Sequence, residues 1–181
     1  GICVIVYLAL GAGSGISAAE AHWVLFGPLV HDGEYYRLVT SAFLHSSILH
    51  VGFNMYLLWI IGRELELTIG SSRFAAIYGT AVLWGSMGAL AQTTTSPIVG
   101  ASGAVFGVVG AMMVELRRRG LDPFSGGLGG LLVLNLAIGF IPSFHIAWGG
   151  HVGGFIGGVL AALAIHEAAR RRQPALGFIL C

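Results

Sequence analysis

The chain has 181 residues, 56% of them hydrophobic and only 9% charged, with a mean hydropathy of +0.85. A soluble domain carries about 25% charge, and a surface with so little charge aggregates in water, so the bilayer is the natural solvent. The net charge of +1 gives no electrostatic case for a nucleic-acid partner.

The uncharged stretches read in chain order as six spans of about 20 apolar residues each. The run over 1–13 starts on Gly, is too short to span, and lacks the basic flank of a signal peptide. It reads as the remaining part of a first helix. Residues 14–44 are the only long connection, loop 1. They carry Trp23, Phe26, Tyr35, Tyr36 and Phe43, an aromatic density that suits a segment resting in the outer membrane interface. An uncharged run over 38–62, closed by Arg63, Glu64 and Glu66, gives span 2. No charge occurs over 74–114. That is too long for one helix, and Thr93, Thr94, Thr95, Ser96 and Pro97 divide it into spans 3 and 4. Glu115 and Arg117, Arg118 and Arg119 end span 4. Span 5 runs over 124–141, where Pro142 stops it, and span 6 over 146–165, ahead of Glu167 and Arg170, Arg171 and Arg172. Residues 1–173 thus form one membrane domain and 174–181 a short apolar tail.

Arginine placement supports this topology. The connections after spans 2, 4 and 6 hold every Arg except Arg37, and the chain has no Lys. The positive-inside rule makes that side cytoplasmic, with both termini on it. Cys3 and Cys181 lie at opposite ends and give neither a metal-ligand spacing nor a disulfide framework. Glycine makes up 29 of the 181 residues. Gly103/Gly107 in span 4, and Gly153/Gly157 and Gly154/Gly158 in span 6, are spaced four apart and offer flat faces for close helix contact.

Polar side chains within spans are costly and mark function. Four stand out: His50, Asn54, Ser102 and His151. At about 1.5 Å per residue, counting back from Arg63, Glu115 and His166 puts His50, Ser102 and His151 each about 20 Å above the inner boundary. Three polar groups on three helices share one level. Asn54 lies one turn below His50 on the same face. A serine hydroxyl is a weak nucleophile that needs an adjacent base, and close packing of spans 4 and 6 brings His151 to Ser102. A buried imidazole rests neutral, as a base must. Ser102 follows Pro97 and Gly100 near the first turn of its helix, where free N–H groups favour a developing oxyanion, and His50 and Asn54 add side-chain donors. No acidic residue lies in the outer half of any span, so a dyad is expected rather than a triad. The competing chemistry is a zinc site on His45, His50 and His151. It lacks a carboxylate or Cys ligand, and HExxH is absent. No metal and no cofactor are expected. Ser46 or Ser47 is a candidate N-cap, which leaves His45 outside the helix, bonding loop 1 to its top. His22, His31, His145 and His166 read as solvated.

These residues resemble the rhomboid family of intramembrane serine proteases. Gly100-Ala101-Ser102-Gly103 is similar to the family's GxSG nucleophile motif. His45, His50 and Asn54 resemble its second-span motif, and His151 followed by Gly153, Gly154, Gly157 and Gly158 its sixth-span motif. Tyr36-Arg37 resembles the Trp-Arg pair of loop 1, with Tyr for Trp, and Glu66 and Gly70 match the cytoplasmic end of span 2. The resemblance implies an all-α bundle of six transmembrane helices with a long interfacial loop 1. It implies Ser102 as nucleophile, His151 as general base and acid, and an oxyanion hole made by His50, Asn54 and the backbone N–H of Ser102. It implies that Phe106 stacks on His151. The expected substrates are single-span membrane proteins in a bacterial-type inner membrane, cut near the outer face at small residues. The rivals are a catalytically inactive relative that only binds clients, and a transporter with a His relay. Against the second stands the lack of any paired acidic residue along a path.

Overall fold

A computed structural model describes residues 1–10, 17–130, 133 and 147–171. The described residues are helical, apart from loops and one isolated antiparallel bridge between Leu25 and Ile98. The helices are α1 (Ile2–Ala9), α2 (Gly27–His31), α3 (Arg37–Thr40), α4 (Ile48–Leu57), α5 (Arg63–Ile69), α6 (Ser71–Gln92), α7 (Ser102–Arg118) and α8 (Trp148–Arg170). A π-helical turn over Leu58–Gly62 joins α4 to α5. Gly70, at φ +88°, turns the chain from α5 into α6.

The centre of the molecule is the mutual packing of α6, α7 and α8, and glycine makes it possible. A Cβ on Gly88 would meet the Gly149 carbonyl. One on Gly153 would meet the Trp84 carbonyl, and one on Gly158 the Gly107 carbonyl. Backbones therefore touch where side chains normally separate them, which is how helices gain dispersion contacts when lipid removes the hydrophobic drive between them. Below the glycines the core is apolar, with Leu65, Ile77, Phe106, Val108 and Ile165 in one cluster. Large apolar side chains point outward instead: Leu49, Phe53 and Trp59 along the α4 helix and its π turn, Met87 on α6, Leu160 and Leu163 on α8. A surface of that composition suits lipid, not water.

Among the described residues two helices, Ser71–Gln92 and Trp148–Arg170, are long and apolar enough to cross a membrane. The bent pair Arg37–Phe43 with Ile48–Ile69, at 97°, gives a third candidate. The sequence reading of six spans is thus only partly matched. The α1 helix has eight residues. The α7 helix has 17 and ends in Arg117 and Arg118. Most of the expected span 5, and the tail, lie outside the described residues.

Loop 1 folds around one arginine. Arg37 is 3% exposed. Its Nη1 donates to the carbonyls of Ala21 (3.0 Å) and Val24 (2.9 Å), and its Nε to Glu34 Oε2 (2.7 Å). The Tyr36 hydroxyl donates to the same Glu34 oxygen at 2.7 Å. These two bonds, the tyrosine's first, hold the Glu34 carboxyl below the usual carboxylate range. Trp23 meets the Tyr36 ring edge-on, with centroids 6.1 Å apart. Replacing Arg37 by Gln strands two loop carbonyls, and should lower stability by about 2–4 kcal/mol, read as a lower thermal midpoint in detergent. Because the Glu34 pKa is depressed, its contribution is present at neutral pH and is lost as pH falls through that lowered value. The wild-type midpoint should therefore fall in acid, and the Arg37→Gln midpoint should fall less. An Arg37→Gln protein that melts like wild type would remove the clamp.

Candidate active site

The turn before α7 is set by backbone constraints. Gly100 has φ +129°, a region that L side chains rarely adopt, and its N–H donates to the Ser41 carbonyl at 3.0 Å. Ile98 pairs with Leu25 through two backbone bonds, tying the same segment to loop 1. Ala101, fully buried, donates its N–H to His45 Nε2 at 3.4 Å. Ser102 then opens α7, whose first N–H groups have no helical acceptor and lie at the positive end of the helix dipole.

His151 sits in the first turn of α8. The N-cap of that helix, Ala147, provides no side-chain bond, and Gln92 from the end of α6 takes over: its Oε1 accepts from the Gly149 N–H at 2.7 Å. The approach of α8 to α7 then brings His151 Nε2 to 2.9 Å from Ser102 Oγ. Phe106, one turn after the serine, stacks on the imidazole at 4.3 Å and 11°, so the ring is fixed on its face as well as at its edge. His151 is buried, and its Nδ1 has no hydrogen-bond partner among the described residues. The pair therefore stands without a third member there.

His50 and Asn54 share one face of α4, as the spacing predicts. Ser47 caps that helix, accepting from the His50 N–H at 3.2 Å. The His50 ring lies against the glycine of the turn before Ser102: a Cβ on Gly100 would be 2.8 Å from both His50 Cε1 and Nε2, and 3.7 Å from Ser102 Oγ. Ring and hydroxyl thus border one small space. Asn54 is buried on the next turn, and its Nδ2 donates to the His50 carbonyl at 3.0 Å; in this arrangement it supports His50. The structure therefore brings Ser102, His151 and His50 together, with Asn54 behind His50.

Two residues do more than the sequence reading assigns them. His45, expected to bond loop 1, faces the Phe43 backbone of that loop and reaches the turn before α7 as well. It is 1% exposed and accepts from the Ala101 N–H, one residue before Ser102, while its ring packs edge-on to His50 at 4.9 Å. His166 is not a solvated side chain: it is half-buried, with Nε2 3.1 Å from Glu115 Oε2, and joins the Arg-bearing ends of α7 and α8. Among the described residues, Gln92 is a further contributor that residue type alone did not single out.

The model of the Rhomboid domain matches residues 32–168. Among curated proteins, the chain is 38% identical over 140 residues to "Rhomboid protease GluP" of Bacillus subtilis, covering 76% of this chain and 27% of that protein. It is 31% identical over 150 residues to "Putative rhomboid protease YdcA" of the same organism, covering 79% and 73%. It is also 30% identical over 134 residues to "Inactive RHOMBOID-like protein 8" of Arabidopsis thaliana, covering 71% and 37%. The chain thus spans less than half the length of several relatives it matches. With the match running through His45, His50 and the Ser102–His151 pair, this chain belongs to the rhomboid family.

Proposed function

We propose that the protein is an intramembrane serine endopeptidase that hydrolyses peptide bonds of single-span membrane proteins through Ser102 and His151. The observation that carries this reading is the 2.9 Å approach of His151 Nε2 to Ser102 Oγ on separate helices. In the proposed reaction His151 Nε2 takes the Ser102 proton as Oγ attacks the scissile carbonyl carbon. Negative charge then collects on the carbonyl oxygen at the N-terminus of α7, where the backbone N–H of Ser102, His50 and Asn54 are the proposed donors. The imidazolium returns its proton to the leaving amine, and the acyl-serine is hydrolysed by water that His151 activates in turn. Each donor of this kind is worth on the order of 3–4 kcal/mol where measured.

Six spans in a bacterial-type inner membrane, with both termini cytoplasmic, belong to the same proposal. The arginine asymmetry supports that orientation. The name of one relative states that it is inactive, so the alternative is a client-binding protein without chemistry. Activity-based labelling separates the two. A fluorophosphonate should attach covalently to Ser102 of the detergent-purified protein, read by mass spectrometry of the adduct peptide, and Ser102→Ala should take up none. An unlabelled wild type alongside a labelled control rhomboid would leave only the binding reading.

A further inference from the structure

Resting on the protease reading, we propose that Ser46 is a positioning residue that fixes the tautomer of His50, so that His50 Nε2 carries the proton and faces the site where the oxyanion forms. A neutral imidazole has one N–H and one acceptor nitrogen, and the hydrogen bond made by one nitrogen decides the state of the other. Ser46 Oγ lies 3.2 Å from His50 Nδ1.

The two serines ahead of α4 have separate tasks. Ser47 is occupied as the helix cap, which leaves the Ser46 hydroxyl for the ring. The main chain of His50 is held on both sides as well, by Ser47 at its N–H and by Asn54 at its carbonyl. The edge of the ring left open is the Cε1–Nε2 edge, which borders Gly100 and, across the same space, Ser102 Oγ.

Charge decides the direction of the Ser46 bond. The Ser102 hydroxyl gives its proton to His151, so lone pairs, and later the full oxyanion, need donors on the Gly100 side. When Ser46 donates to Nδ1, His50 presents an Nε2–H there. The opposite tautomer would present a lone pair and repel the charge. His45 next door takes the other form: its Nε2 accepts from the Ala101 N–H, so its proton is on Nδ1. Two neighbouring histidines are thus held in opposite tautomers by two different partners, each serving the turn that carries the nucleophile.

The test reads the tautomer directly. In protein labelled with 15N-histidine and held in detergent micelles, protonated and unprotonated ring nitrogens resonate far apart, and the His50 pair is assigned by its loss in His50→Asn. Wild type should show Nε2 protonated and Nδ1 as acceptor. Ser46→Ala should show both tautomers, and Ser46→Thr, which keeps the hydroxyl, should restore one. In parallel, kcat for a transmembrane substrate should fall about tenfold in Ser46→Ala, a fraction of the loss for deleting a donor outright. KM should stay within about twofold, as for an interaction made only in the transition state, and Ser46→Thr should recover the rate. A wild-type His50 protonated at Nδ1 overturns the proposal, even if Ser46→Ala does not fold. So does a Ser46→Ala protein with an unchanged tautomer, or with a changed tautomer and a wild-type kcat. The spectra answer whether or not the protein cleaves anything, whereas the protease reading fails on Ser102 labelling.

Discussion

His151→Ala should reduce cleavage of a transmembrane substrate by about 10⁴- to 10⁶-fold, to the same floor as Ser102→Ala, and the double variant should go no lower. The expectation follows from the geometry of a two-member unit. In the proposed reaction, with His151 Nε2 at 2.9 Å from Ser102 Oγ, each group works through the other: among the described residues His151 is the base hydrogen-bonded to the hydroxyl, and Ser102 the hydroxyl hydrogen-bonded to that imidazole nitrogen. Removing either removes the whole proton-transfer step, so the two losses cannot add. What remains is the electrostatic part, the first turn of α7 and the His50 side. His50→Ala and Asn54→Ala should therefore keep partial activity, with His50→Ala the lower of the two, because its ring borders the reacting space while Asn54 Nδ2 is engaged with the His50 carbonyl. The measurement is initial rate in detergent or liposomes for the two single variants and the double. Losses that multiply would mean that the two residues act independently, and the dyad would be abandoned.

The parts of this arrangement that the sequence makes legible are those governed by spacing along one helix. Counting residues back from Arg63, Glu115 and His166 puts three polar groups at one depth, since helical rise converts position into height; Ser102 and His151 do meet. The glycine stripes are legible for the same reason, because a four-residue period marks one face. Contacts to a distant backbone group are not legible. His45 accepts from Ala101 N–H, 56 residues away, and Gln92 from Gly149 N–H, 57 residues away; no side-chain pattern announces a backbone partner. Arg37 reads as the lone arginine on the outer side, yet it is buried within its own loop, because loop 1 supplies two carbonyls and a carboxylate that lipid or water would otherwise replace. The choice between Ser46 and Ser47 as cap stays open in the sequence, since both precede the helix and differ only in backbone angles; the structure assigns Ser47, in extended conformation at ψ 162°.

The second large effect comes from one hydrogen atom's worth of space. A Cβ on Gly154 would run into the carbonyl of Gly103 and lie 2.9 Å from its Cα, where ordinary contact begins near 3.4 Å. Gly103 follows Ser102 by one residue, and Gly154 follows His151 by three, so this contact bears directly on the Ser102–His151 distance. Gly154→Ala must push α8 away from α7 by a good fraction of an ångström. Misplacement by about 1 Å costs on the order of 10²-fold in rate, and forcing a methyl into a packed contact costs about 1–3 kcal/mol. The variant should therefore show both a lower thermal midpoint in detergent and a rate about 10²-fold down, with Ser102 labelling slowed in step. Gly79 provides the contrast. It lies in the interior of α6 with nothing within 4 Å of where its Cβ would be, so Gly79→Ala should be neutral or stabilising by up to about 1 kcal/mol, with unchanged cleavage. If Gly154→Ala instead behaves like Gly79→Ala, the close approach of α7 and α8 is not what holds the serine to the histidine, and the hydrogen bond between them would have to be strong enough to draw two separated helices together on its own. In a membrane such bonds are worth about 0.6 kcal/mol on average, too little for that task.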